Sequence, residues 1–129
     1  MRILIDADFL IALAKSDDSN HKKAVELAQK LEGSFFFTTQ FTIPESATVL
    51  SYRVSQKDAI KFILEVRKMG LVELPFDQKL SGLADELFIS VKKKGTSWID
   101  CLNVIMVKFY KLDGILSFDN FYKKHIKVF

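Results

Sequence analysis

A chain of 129 residues can bury about two thirds of its unfolded surface in one core but is short for two, so one domain over residues 1–129 is expected. With 49% hydrophobic residues, twelve Phe and 27% charged residues, the composition excludes disorder; a formal charge of +3 permits a polyanionic partner without demanding one. Cys101 is the only cysteine and His21 and His125 the only histidines, which excludes an internal disulfide and argues against a Cys/His metal site; with no apolar run near the roughly eighteen residues of a membrane span, the expectation is a soluble, cytoplasmic protein without a membrane partner.

The chain opens on Met1-Arg-Ile-Leu-Ile-Asp6, an unalternating aliphatic run that predicts a strand buried on both faces, as at the centre of a parallel sheet. Phe9 to Lys15 reads as a short helical turn. A helix from about Asn20 to Leu31 follows, with Ala24, Leu27, Ala28 and Leu31 on its apolar face and Gly33 as its stop. Ser34 to Thr38 predicts a second buried strand. Thr42-Ile-Pro44-Glu45 starts a helix to about Val54, and Ser55-x-x-Asp58 caps another that reaches Met69. Leu71 to Leu74 predicts a third strand. Asp77 or Ser81 caps a helix ending in Lys92-Lys93-Lys94-Gly95, with the cations at the negative end of its dipole. Ser97-Trp98-Ile-Asp100 opens an apolar helix through Lys111, Ile115 to Ser117 is a fourth strand, and a turn over Asn120 to Lys124 leads to an edge strand at Ile126 to Phe129. Alternating strands and helices imply right-handed βαβ units: an α/β fold with a mainly parallel sheet of four to five strands between helical layers.

In such a sheet, ligands bind beyond the carboxyl ends of the strands. Asp6 follows the first strand, Asp119 the fourth, and Glu45 and Asp100 stand in the first turns of two helices. The pattern Ile5-Asp6-Ala-Asp8, Pro44-Glu45-Ser, Trp98-Ile-Asp100 and Leu116-Ser117-Phe-Asp119 resembles the PIN-domain ribonucleases, including the toxin members of toxin–antitoxin pairs, over nearly the whole chain. Asp8 stands where that family usually has a small polar residue and Ser117 where it often has Thr; the segment from Asp119 to Phe121 is one residue tighter than is common. The resemblance implies a PIN-like three-layer α/β/α sandwich that binds Mg²⁺ or Mn²⁺ and cleaves RNA, a homodimer and, for a toxin, a small antitoxin partner.

Each acid also has a structural reading. Glu45 and Asp100 both occupy the third position of capping boxes, and Asp6 can cap the helix from Phe9 onward. Magnitude separates the readings: two carboxylates at about 4 Å repel by roughly 4 kcal/mol at an effective dielectric of 20, so several in one cleft strain a fold whose whole stability is about 5–15 kcal/mol. A divalent ion removes that strain, and oxygen donors without Cys or His select Mg²⁺ or Mn²⁺. The candidate catalytic acids are therefore Asp6, Glu45, Asp100 and Asp119. Asp6, Asp100 and Asp119 are the metal ligands, directly or through water. Glu45 serves a second metal position or orients water, and Asp8 and Ser117 support the ligands from behind. Weaker candidates for RNA are Lys92, Lys93 and Lys94, otherwise a solvated helix end, and Trp98, otherwise an anchor of its helical turn. The apolar excess on Phe41 to Leu50 and Phe62 to Leu64 reads as core or as a homodimer face. Two alternatives stand beside the nuclease. One is a haloacid-dehalogenase-type phosphotransferase with Asp6 as nucleophile and Asp8 as acid/base, although Leu10 stands where that pattern expects Thr or Val. The other is a non-catalytic PIN-like interaction module.

Overall fold

Strand β1 (Arg2–Ile5) divides the molecule, because its side chains alternate between two cores. Ile3 and Ile5 belong to one apolar cluster, with Phe9, Leu10, Ile43, Leu50 and Phe62; Leu4, pointing the other way, joins Leu102, Val104, Met106, Ile115 and Tyr122. This two-sided burial is what an unalternating aliphatic run produces. In the computed structural model, which describes residues 1–129, helices α1 (Ala7–Ala14), α2 (His21–Lys30), α3 (Thr42–Arg53) and α4 (Gln56–Val66) form the layer on the first side. Helices α5 (Gln78–Ser90) and α6 (Trp98–Phe109) form the layer on the second. Between them lie β1, β2 (Phe35–Thr38), β3 (Val72–Glu73) and β4 (Gly114–Leu116), all parallel, in the order β3-β2-β1-β4. The expected three-layer α/β/α sandwich is the architecture observed.

Local chemistry explains most boundaries. Asp6 accepts a hydrogen bond from the Ala7 amide, so α1 starts two residues earlier than the turn expected from Phe9 and runs as a full helix. Ser55 caps α4 through the Asp58 amide, and Asp77, not Ser81, caps α5 through that of Leu80. Other expectations change as well. Helix α4 ends at Val66, short of Met69, where the chain turns toward Gly70 at φ +70°. The second strand is not fully buried: Phe35 is 70% exposed, because the strand beyond it has only two residues and offers no cover there. That third strand, Val72–Glu73, is itself an exposed sheet edge. Lys92, Lys93 and Lys94 do not end a helix. Helix α5 stops at Ser90, whose hydroxyl turns back to the Leu87 carbonyl, and extended Val91 follows, so the lysines lie exposed in the turn before α6.

The expected edge strand at Ile126–Phe129 shrinks to one parallel bridge, Ile115 with Val128. It is nevertheless fastened to β4: the Ile115 amide donates to the Lys127 carbonyl and the Phe129 amide to the Ile115 carbonyl, each at 3.0 Å. Gly114 permits this approach, since a Cβ there would stand 2.6 Å from the Lys127 oxygen. Gly114→Ala is therefore expected to destabilise the fold by about 1–3 kcal/mol, the usual range for overpacking a fixed contact, and to loosen residues 126–129. Thermal melting with amide hydrogen exchange checks this; wild-type behaviour in both would show that the segment is not held against β4.

Candidate active site

The parallel register pairs Ile5 with Leu116, so the residues that follow, Asp6 and Ser117, leave adjacent strands side by side. The Asp6 amide donates to the Leu116 carbonyl, and beyond that last rung the two side chains meet. The Ser117 hydroxyl lies 3.0 Å from Asp6 Oδ2 and 3.1 Å from Asp8 Oδ2. It also receives the Asp119 amide at 3.1 Å, while the Phe118 amide donates to Asp8 Oδ2. Asp6 Oδ1 accepts from the Ala7 amide and from the Asn103 side-chain amide at 3.2 Å. Asn103 also donates to the Tyr122 hydroxyl, which donates to Asp100 Oδ1 at 2.9 Å. One connected network thus links Asp8, Asp6 and Asp100 through Ser117, Asn103 and Tyr122.

Proton counting shows what this network holds without a cation. Ser117 has one hydroxyl proton and cannot donate to two carboxylates at once. The arrangement is satisfied when Asp6 carries a proton and donates to Ser117, and Ser117 donates to ionised Asp8. The electrostatics agree. Burial, then the charge of Asp8, pushes Asp6 up to about 7. Burial, then Asp6, pushes Asp100 up to about 6. Asp8 is raised chiefly by burial, against the hydrogen bonds of Phe118 and Ser117, with Asp119 adding repulsion. Glu45, exposed on the rim, is raised by desolvation and then by Asp100. The five acids therefore form one cluster whose members act on one another electrostatically, Glu45 through Asp100 and Asp119 through Asp8 and Asp100.

The capping readings fare differently from acid to acid. Glu45 is not in a capping box. Thr42 is the first residue of α3, not its cap, because its hydroxyl turns back to accept from the Thr39 amide. Ser97 caps α6 through the Ile99 amide, and its own amide favours the ionised Asp100 carboxylate, so a capping contact persists beside the hydrogen bond from Tyr122. Asp6 and Asp119 do cap, the latter through the Phe121 amide. Asp6 has both carboxylate oxygens engaged, whereas Asp119 keeps one open: Asp119 Oδ2, Asp100 Oδ2 and both oxygens of Glu45 accept no hydrogen bond from a side chain.

No three of these acids stand as a ready-made ion cage, since Ser117, Asn103 and Tyr122 hold them in hydrogen bonds. The donor chemistry nonetheless fits a hard divalent cation. Every donor is oxygen, and Asp8 Oδ1 and Asn103 Oδ1 are buried acceptors without any partner. Orphaned acceptors among mutually repelling carboxylates are what a hydrated Mg²⁺ or Mn²⁺ would satisfy.

Asn103 and Tyr122 do not figure among the residues singled out from the sequence. Asn103 had a signal: it is a lone amide in the apolar run Cys101–Val107, one helical turn after Asp100 and so on its face. Tyr122 had almost none, being one aromatic among several near the end of the chain. Trp98 donates its indole N–H to Asp85 and sets its ring edge-on to Phe41, while Lys92, Lys93 and Lys94 make no ion pair. Cys101 is buried and its thiol is pushed up by burial and by Asp100, so it is an inert core side chain. Asp6 is 7% exposed with both oxygens hydrogen-bonded, a poor presentation for the in-line nucleophile a phosphotransferase requires.

Fold and site together define a three-layer α/β/α domain with an acid cluster at the carboxyl edge of its parallel sheet. The sequence matches the PIN domain family over residues 3–125, and the chain belongs to that family. No curated protein sequence matches it. Among solved structures, the chain is similar to the toxin VapC20 of Mycobacterium tuberculosis, described as Sarcin-Ricin loop cleaving, with a TM-score of 0.81 and 18% identity over 95% of this chain and 93% of that one. It is also similar to VapBC2 from Rickettsia felis, solved bound to a DNA fragment from their promoter, with a TM-score of 0.70 and 13% identity over 100% of this chain and 98% of that one. At these identities the likeness is one of fold. No helix is long and apolar enough to cross a membrane.

Proposed function

We propose that this protein is a Mg²⁺- or Mn²⁺-dependent endoribonuclease of the cytoplasm, acting as the toxin of a toxin–antitoxin pair. The observation that carries the reading is the hydrogen-bonded acid network linking Asp8, Asp6 and Asp100, in which burial and then Asp8 raise Asp6, and burial and then Asp6 raise Asp100. Asp6, Asp100 and Asp119 would hold the ion, directly or through water, and Glu45 would serve a second position or orient the attacking water. A bound divalent ion supplies a polarised water and charge for the leaving oxygen of a phosphodiester. Ser117 fixes the relative position of Asp6 and Asp8 through one oxygen, and Asn103 and Tyr122 do the same for Asp6 and Asp100. Membership of the PIN family and the descriptions of the two solved relatives support RNA as substrate and a small antitoxin as partner. A homodimer is part of the proposal. The exposed Tyr52, Ile60 and Leu64 on α3 and α4 supply apolar surface for a partner.

The test is cleavage of fluorescent RNAs, single-stranded and hairpin, by purified protein with Mn²⁺, with Mg²⁺, or with a chelator. Cleavage in either ion and none in chelator is expected. No cleavage of any RNA in either ion would favour the non-catalytic module.

A further inference from the structure

Beside the acid cluster runs a trough of about 560 Å³ whose walls carry Lys23, Lys123 and Lys127 and no acidic side chain. It adjoins the cluster through Ser117, which bridges Asp6 and Asp8 and is also in its lining. The three lysines come from separate elements: Lys23 from α2, Lys123 from the 3₁₀ turn Asn120–Lys124, and Lys127 from the C-terminal segment bridged to β4. All three are exposed and none pairs with a carboxylate. Two are directed by aromatic faces. The Lys23 ammonium lies 5.8 Å from the centroid of Phe118, itself stacked on Phe9, and that of Lys127 lies 4.5 Å from the centroid of Phe129. An ammonium resting on a ring loses less side-chain freedom when it meets an anion than one on a free stem.

From this placement, and resting on the nuclease reading above, we infer that the trough is the phosphate-binding track along which the RNA strand enters or leaves the acid cluster. A strand crossing five carboxylates needs cations immediately outside them. The trough supplies three beside Ser117, whereas Lys92, Lys93 and Lys94 sit together in one exposed turn and do not line it. Neutralising three phosphates of a single strand contributes about 2 to the slope of log affinity against log salt. Removing them therefore flattens the loss of affinity between 50 and 200 mM salt by roughly twentyfold.

The experiment measures binding of a fluorescent single-stranded RNA without divalent ions, so that nothing depends on cleavage. Affinity is followed against NaCl for four proteins: the wild type, Lys23→Ala/Lys123→Ala/Lys127→Ala, the same three positions changed to Arg, and Lys92→Ala/Lys93→Ala/Lys94→Ala. Thermal melts confirm that each is folded. The expected result is a slope about 2 shallower in the first Ala triple, a wild-type slope in the Arg triple, and a smaller change in the Lys92–Lys94 variant. Wild-type protein that binds RNA with a slope the first triple leaves unchanged would overturn the track alone. Wild-type protein that binds no RNA at any salt would also overturn the track, while the nuclease reading is judged separately, by cleavage in Mn²⁺ or Mg²⁺.

Discussion

Asp6→Asn is expected to reduce RNA cleavage by at least 10²–10³-fold, the loss typical of removing one preorganised electrostatic contact, while leaving metal-free stability unchanged or higher. The second half of that expectation follows from the hydrogen bonds. Without a cation, Asp6 is best satisfied as a neutral acid that donates to Ser117, and Asn offers an N–H in the same place while its oxygen still accepts from the Ala7 amide. Where Asp6 is ionised, at higher pH, the substitution also removes the charge that raises Asp100. A residue kept for capping would behave in the opposite way, because Asn caps helices as well as Asp and activity would survive. Cleavage assays beside chelator-treated melting curves separate the cases. Wild-type rates in Asp6→Asn would remove Asp6 from the site, and a large drop in melting temperature would make it a structural acid. Asp100→Asn and Asp119→Asn should follow Asp6→Asn in activity.

Much of this site was legible in the residues. The run ending at Asp6 announced a central strand, and the spacing of Glu45, Asp100 and Asp119 placed each acid where an α/β sheet would gather them. Ser117 stood out beside Asp119 in the sequence, although not as the single oxygen joining Asp6 to Asp8. What could not be read depends on tertiary placement. An apolar run such as Ser34–Thr38 does not reveal how long its outer neighbour will be, so the exposure of Phe35 followed only from a two-residue β3. The lysines after α5 matched a helix end by composition, but a serine hydroxyl turned back to Leu87 and a β-branched Val91 stopped the helix earlier. Tyr122 reaches Asp100 across two elements far apart in sequence, which no local spacing encodes.

Metal-free protein should lose stability as pH rises from about 5 to 8, and saturating Mn²⁺ should remove most of that loss. Asp6 and Asp100 both sit above their unfolded values, at about 7 and about 6 against 3.8. The folded chain therefore holds protons that the unfolded chain releases. The stabilisation from those protons is complete below about pH 3.8 and disappears as pH passes through 6 and 7. For Asp6 alone, a rise of roughly three pH units corresponds to about 4 kcal/mol. A divalent ion takes the place of the protons, so its effect grows over the same window. At 100 times its dissociation constant it adds about 2.7 kcal/mol, or about 10 °C at this chain length. Melting curves across pH in chelator, in Mn²⁺ and in NaCl of matched ionic strength test this, with Asp6→Asn expected to flatten the fall in chelator. Identical curves in Mn²⁺ and NaCl at every pH would contradict it.

The central claim is that the acid cluster is a divalent-cation site whose charge is balanced by protons until the ion arrives. Calorimetric titration of wild-type protein with Mn²⁺, at pH 6 and at pH 8.5 and in two buffers of different protonation enthalpy, tests it most directly. Saturable heat is expected at both values, with release of about one to two protons per ion at pH 6, from Asp6 and in part from Asp100, and almost none at pH 8.5. Heat no greater than dilution, or saturable binding at pH 6 without proton release, would contradict it.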